Sequence, residues 1–213
     1  MVTDATLEAP PTPYRPGPVR YRWTFVEMLV SSVLGLVAAL VLSVDAITLA
    51  KDPTANLSCN INSVISCGTV GASWQASLLG FPNAFLGLIA EPVVITIAVA
   101  SLGGVRFPRW FMNSALVVYA IGLAFAYWLF LEAYFVIGAL CPWCFLVTLT
   151  TTTVFMSMMR VSIMDNTLGL SERRWRSLVG WLRAGADTLG VILIFAIIIA
   201  MILFKYGSAI FGS

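Results

Sequence analysis

An all-α integral membrane protein of five transmembrane helices is the fold class this sequence predicts, and three observations predict it. Apolar side chains make up 60% of the 213 residues and charged ones only 10%, with a mean hydropathy of +0.94, a balance too apolar for a soluble domain. Five apolar runs each reach about the 20 residues needed to cross a hydrocarbon core. The arginines fall in clusters that all lie on one side when those runs are threaded through a bilayer, as retention of positive residues in the cytoplasm requires. A net charge of +2 spread over such clusters makes no continuous basic stripe, so no nucleic-acid partner is expected.

Residues 1–22 carry Pro10, Pro11, Pro13, Pro16 and Pro18 without apolar periodicity, which predicts a disordered cytoplasmic tail ending in Arg15, Arg20 and Arg22. The first span, 23–50, is longer than a signal-peptide core and lacks a small-residue cleavage motif, so it is expected to remain as a helix. A polar loop over 51–82 follows, then spans at 84–102, 110–135 and 139–159. The turn between the second and third spans carries Arg106 and Arg109, whereas the turn at 136–138 has no charge. Arg160, Arg173, Arg174, Arg176 and Arg183 mark 161–187 as a cytoplasmic basic loop, and a fifth span at 188–204 lies within the C-terminal segment 188–213. The expected topology is a multi-pass plasma-membrane protein with its N-terminus in the cytoplasm, Lys205 being a mild exception at the outer end. This topology puts Cys59 and Cys67 in the long outer loop, and Cys141 and Cys144 at the outer mouth of the fourth span, all on an oxidising face.

Cys-Pro-Trp-Cys at 141–144 is the element most able to react. Two cysteines separated by two residues can close a small disulfide and pass two electrons by thiolate attack on a partner disulfide. The same spacing also serves as half of a four-cysteine zinc site or as a pair of buried structural thiols. No metal is expected here, because the chain has no histidine and its other cysteines, Cys59 and Cys67, have seven residues between them. Two dithiol pairs on one face can exchange electrons.

The outer loop reads Ser58-Cys59-Asn60-Ile61-Asn62-Ser63-Val64-Ile65-Ser66-Cys67-Gly68, followed by Trp74, by Gly80-Phe81-Pro82-Asn83, and by Gly87 in the next span. Together with the late CPWC this resembles the bacterial members of the vitamin K epoxide reductase (VKOR) family over residues 23–160. The resemblance implies a four-helix catalytic core, beside which the fifth span adds one C-terminal helix, and a quinone, menaquinone or ubiquinone, bound beside CPWC and capped by the loop. It implies roles as well: Cys59 exchanges with an external thiol protein, Cys67 attacks Cys141, Cys144 delivers electrons to the quinone, and Asn83 hydrogen-bonds a quinone carbonyl. Asn83 after a Pro turn also suits a helix N-cap. Cys141 sits at the helix mouth and Cys144 about 4.5 Å deeper, which agrees with that order. Relatives in vertebrates carry a tyrosine, a second hydrogen-bond donor to the quinone, where this chain has Thr148, whose hydroxyl has a shorter reach. Some bacterial relatives also carry a fused thioredoxin-like domain, so a separate DsbA-like or thioredoxin-like partner is expected.

Asp45, Glu91 and Glu132 fall within spans, where carboxylates are expensive and are candidates for function. Glu91, the deepest, is the candidate proton relay; alternatively it satisfies backbone freed by Pro92, and Asp45 and Glu132 snorkel to the interface or hydrogen-bond neighbours. Trp74, Phe81 and 76–79 are expected to cap the site, and the threonines at 150–153 to hydrogen-bond between helices. The function implied is a membrane thiol:quinone oxidoreductase supporting disulfide formation outside the cytoplasm. The rival is a non-enzymatic assembly or binding protein with two static disulfides, although a CxxC bridge is a poor staple because the loop it closes is tiny.

Overall fold

The computed structural model describes residues 18–61 and 64–211, with side chains over 22–61 and 64–207. Of the tail expected over 1–22, residues 1–17 lie outside the described residues, and 18–22 already belong to the first helix. The chain forms α1 (Pro18–Lys51), a short α2 (Cys67–Gly71), a 3-10 turn (Trp74–Ser77), α3 (Ala84–Leu102), α4 (Arg109–Glu132) closed by a π turn (Ala133–Ile137), α5 (Pro142–Met164), α6 (Glu172–Arg183) and α7 (Ala186–Phe211). Five of these helices are long and apolar enough to cross a membrane.

Four of them, α1, α3, α4 and α5, make the bundle: α1 packs on α3 and α5, and α4 on α5. Small residues let α1 and α3 approach closely, as expected where helices gain nothing from excluding water. A Cβ at Gly87 would stand 2.7 Å from the Ala39 Cβ, and one at Gly35 2.8 Å from Glu91 Oε1. Between the helices Met28, Val94, Ile97, Met158 and Val154 are almost wholly buried. Val30, Ile89, Val118 and Ile121 face outward, where lipid would cover them.

The helix ends explain how both cysteine pairs reach the same end of the bundle. The π turn gives Gly138 a hydrogen bond from its N–H to the Ala133 carbonyl at 3.0 Å, and Gly138 then turns the chain at φ 72°. That left-handed conformation suits glycine. Cys141 is extended and serves as N-cap of α5, with Pro142 at the first helical position, where a missing N–H and a fixed φ cost nothing. The fourth span therefore begins at Pro142, three residues later than the hydropathy suggests, and runs on to Met164.

The basic segment contains α6, an amphipathic helix not foreseen in the sequence. Val179 and Leu182 bury against Ile163 and Met164, Trp175 Nε1 donates to the Ile163 carbonyl at 2.9 Å, and Arg173, Arg174 and Arg176 point outward. α7 stands beside the bundle with Ile198 and Tyr206 buried and most of its other side chains exposed or half-buried. Polar contacts hold it at both ends: Arg160 pairs with Asp187 at 2.6 Å, and Lys205 Nζ and Tyr206 Oη donate to the Tyr134 carbonyl.

Candidate functional site

Loop, π turn and α5 meet in one short parallel β-bridge, Ile65 with Leu140. Ser66 N donates to the Leu140 carbonyl at 3.0 Å and Leu140 N to the Val64 carbonyl at 2.7 Å. Cys67 lies two residues past one arm of the bridge and Cys141 one past the other. Pairing these backbones therefore brings the two cysteines together, although 74 positions separate them.

Asn60 fixes the loop from inside. Its Oδ1 accepts from Gly68 N at 2.9 Å and Ser66 Oγ at 3.1 Å, and a Cβ at Gly68 would come within 3.0 Å of the Asn60 amide. Ser66 Oγ in turn caps α2 by accepting from Thr69 N at 3.1 Å.

Cys59 and Cys67 form a disulfide with their Cα atoms 5.6 Å apart, while Cys141 and Cys144 are free thiols. Cys141 Sγ lies 3.4 Å from Cys67 Sγ. Leu42, Leu49, Leu57, Val70, Ile137, Ala139 and Trp143 pack round the sulfurs. Cys59 is 7% exposed and Cys67 2%, so the sulfur nearer the surface is still covered in this conformation. The Cys144 thiol and the N–H groups of Cys144 and Trp143 hydrogen-bond the Cys141 sulfur, holding its thiol below the ordinary range against the upward push of burial. A thiolate so placed can attack a disulfide or leave one. Asp45 is the carboxylate beside the sulfurs, its Oδ2 3.7 Å from Cys59 Sγ. Asp45, Cys59 and Cys67 cluster tightly enough for a metal, but both sulfurs are spent in the disulfide.

The 3-10 turn covers this end of the bundle. Gln75 is buried, its Nε2 donating to Glu132 Oε2 at 3.1 Å, and Trp74 lies against Trp128 with ring centroids 6.3 Å apart. Asn83 N donates to the Ala76 carbonyl at 2.9 Å, and Asn83 Nδ2 to the Gln75 carbonyl at 2.6 Å. Asn83 occupies the N-cap position of α3, yet its side chain makes no capping bond, and its buried Oδ1 has no hydrogen-bond partner. Thr148 Oγ1 donates to the Cys144 carbonyl at 3.0 Å, so its hydroxyl is turned onto its own helix.

Glu91 stands apart from the sulfurs. Its carboxylate packs against the backbone of Gly35 and beside Thr150 Oγ1, six residues and about 9 Å along α5 from Cys144, and faces Tyr119. Glu91 Oε2 has no hydrogen-bond partner. Glu132 hydrogen-bonds a neighbour, as one of the two expectations for it had it, by accepting from Gln75. The threonines at 150, 152 and 153 bond carbonyls of their own helix, and Thr152 also meets Tyr127 Oη on α4 at 2.9 Å. Side-chain hydroxyls in an apolar span bond the nearest carbonyl, one turn back, when a neighbouring helix offers none.

A membrane-embedded helical bundle carrying an oxidised and a reduced cysteine pair in contact defines a membrane thiol oxidoreductase. The chain belongs to the vitamin K epoxide reductase family, whose sequence model matches residues 26–159, well over half of its length. A search of the curated proteins finds no match.

Proposed function

We propose that the protein is a thiol:quinone oxidoreductase of the plasma membrane that reoxidises a separate DsbA-like or thioredoxin-like protein and so sustains disulfide formation outside the cytoplasm. The observation that carries this reading is the 3.4 Å contact between Cys141 and the Cys59–Cys67 disulfide. In the direction of use, a reduced partner attacks Cys59, and the electron pair passes from Cys67 to Cys141 and on to Cys144. The state described here, loop pair oxidised and CPWC pair reduced, is the one reached once two electrons have arrived at CPWC. The static-disulfide alternative calls for a closed CPWC bridge, which would be a poor staple because the loop it closes is tiny.

The residues near this end fit a quinone ring. Asn83 keeps one amide hydrogen beyond its bond to Gln75, together with an unpartnered buried oxygen. Leaving either unpaired costs free energy that a carbonyl or hydroxyl partner restores. Phe81 and Phe85 stack nearby, with centroids 6.4 Å apart, as aromatic walls. When bound, a quinone takes up two electrons and two protons. Cys144 is the thiol that would face it, Asn83 would orient it, the 3-10 turn would exclude water, and Glu91 would relay a proton.

The test is quinone reduction by the purified chain in detergent, supplied with a reduced DsbA-like protein. Cys144→Ser and Cys59→Ser are both expected to abolish turnover with that donor, while Cys59→Ser retains turnover with dithiothreitol. A wild-type chain that reduces no quinone with either donor would sink this function.

A further inference from the structure

Thiol exchange between the two pairs needs a proton to leave one sulfur before that sulfur can attack, and burial makes water a poor acceptor. The product side of such a step is visible: Cys59 is bonded to Cys67, and Cys141 sits 3.4 Å from Cys67 as a free thiol. On the other side of the disulfide, Asp45 Oδ2 lies 3.7 Å from Cys59 Sγ. Cys59 is therefore flanked by the sulfur it attacks and by a carboxylate. That is the geometry of a general base and its nucleophile.

We propose that Asp45 is the catalytic base that deprotonates Cys59 for its attack on a Cys67–Cys141 mixed disulfide, and the acid that reprotonates Cys59 when the partner reduces the loop. This rests on the relay reading above. The Cys59 S–H bond breaks and its proton passes to the Asp45 carboxylate. The Cys59 sulfur bonds to Cys67 as the Cys67–Cys141 bond breaks, and the electron pair of that bond leaves on Cys141. No other reactant is needed. Cys141 is a suitable leaving group, because the N–H groups at the start of α5 and the Cys144 thiol stabilise its thiolate.

The other carboxylates of the spans are elsewhere. Glu132 is bonded to Gln75, Glu91 packs on Gly35, ten residues and about 15 Å along α1 from Asp45, Glu27 lies 18 residues and about 27 Å along the same helix, and Asp187 pairs with Arg160. The titratable groups that face Asp45 are Cys59 and Cys67 from the loop and Cys141 and Cys144 from α5. Among the described residues no lysine or arginine pairs with it, and Lys51, the next charged residue on its own helix, is exposed. Among the described residues no cation therefore holds this carboxylate away from Cys59.

The test follows the mixed disulfide itself. The full chain in detergent is reduced, mixed with a water-soluble benzoquinone, quenched with acid and N-ethylmaleimide, and its Cys67–Cys141 linkage quantified by peptide mass spectrometry. In Asp45→Asn the linkage is expected to accumulate and to decay about 100-fold more slowly near neutral pH. Its decay should quicken about tenfold per pH unit as Cys59 loses its proton unaided, while the wild type shows a flatter profile. Asp45→Glu should recover part of the rate, which a packing role would not give. Wild-type decay in Asp45→Asn, or slower decay with the wild-type pH profile, would overturn the assignment and leave the relay intact. A wild-type chain that never forms the linkage removes the relay, and this inference with it.

Discussion

Glu91 is 4% exposed, and its Oε2 has no hydrogen-bond partner. A buried carboxylate of this kind is costly to the fold and is by default a candidate for function. If that function is proton delivery, Glu91→Gln should slow steady-state quinone reduction about tenfold while exchange between the cysteine pairs keeps its wild-type rate. The same change removes an ionisable group at constant shape, and a melting temperature about 2–4 °C higher in detergent is expected. Unchanged turnover in this variant would remove the relay role and leave only the stability effect. At this scale Cys141 and Cys144 were legible, because a two-residue spacing has few chemical uses, whereas Cys59 and Cys67 drew their role from the family resemblance. Asp45 beside Cys59 was not legible, nor was Gln75 between Glu132 and Asn83. These side chains meet across turns 14, 57 and 8 positions apart in the chain, and no periodic spacing encodes such a meeting.

Lys205 explains how α7 can matter to a site it does not line. The π turn leaves the Tyr134 carbonyl without its usual helical donor, since the Gly138 N–H goes to Ala133 instead. Lys205 and Tyr206 take that carbonyl, and Lys205 Nζ also sits 4.5 Å from the centre of the Tyr134 ring. Tyr206 packs with Tyr134 and Leu140, and Val64 lies against them, so the end of α7 bears on the backbone bridge that aligns Cys67 with Cys141. Lys205→Met should loosen that bridge and slow inter-pair exchange by about one power of ten, a loss of 1–1.5 kcal/mol. Lys205→Arg should recover most of it. Hydrogen exchange at Ser66 and Leu140 N–H gives the direct reading, and unchanged protection in Lys205→Met would refute the brace. The spans themselves were readable from hydropathy to within several residues. The π turn has no compositional signature, because one extra residue in a helical turn changes no pattern. α6 was hidden by its arginines, which mark a cytoplasmic loop and the polar face of an amphipathic helix equally well.

Charge is divided unequally between the two ends of the whole molecule. Arg22, Arg106, Arg109, Arg160, Arg173, Arg174, Arg176 and Arg183 lie at or near the end away from the sulfurs, where Arg109 bonds the Asn166 carbonyl just past α5. The thiol end has Lys51 beside Asp52, and Lys205, whose ammonium is engaged by Tyr134. Carrying arginines outward works against a membrane potential worth about 2.3 kcal/mol per charge per 100 mV, and the insertion machinery retains them in the cytoplasm. The thiol end should therefore face outward, where a compartment kept oxidising can use it. In a chain whose native cysteines are replaced by serine, Leu79→Cys at the exposed 3-10 cap should react with a membrane-impermeant maleimide in intact cells. Trp181→Cys, on the exposed face of α6, should react only after permeabilisation. The opposite pattern would put the cysteines in the cytoplasm, where thiols are kept reduced. The chain would then draw electrons from the cytoplasmic thiol pool and could not sustain disulfide formation outside.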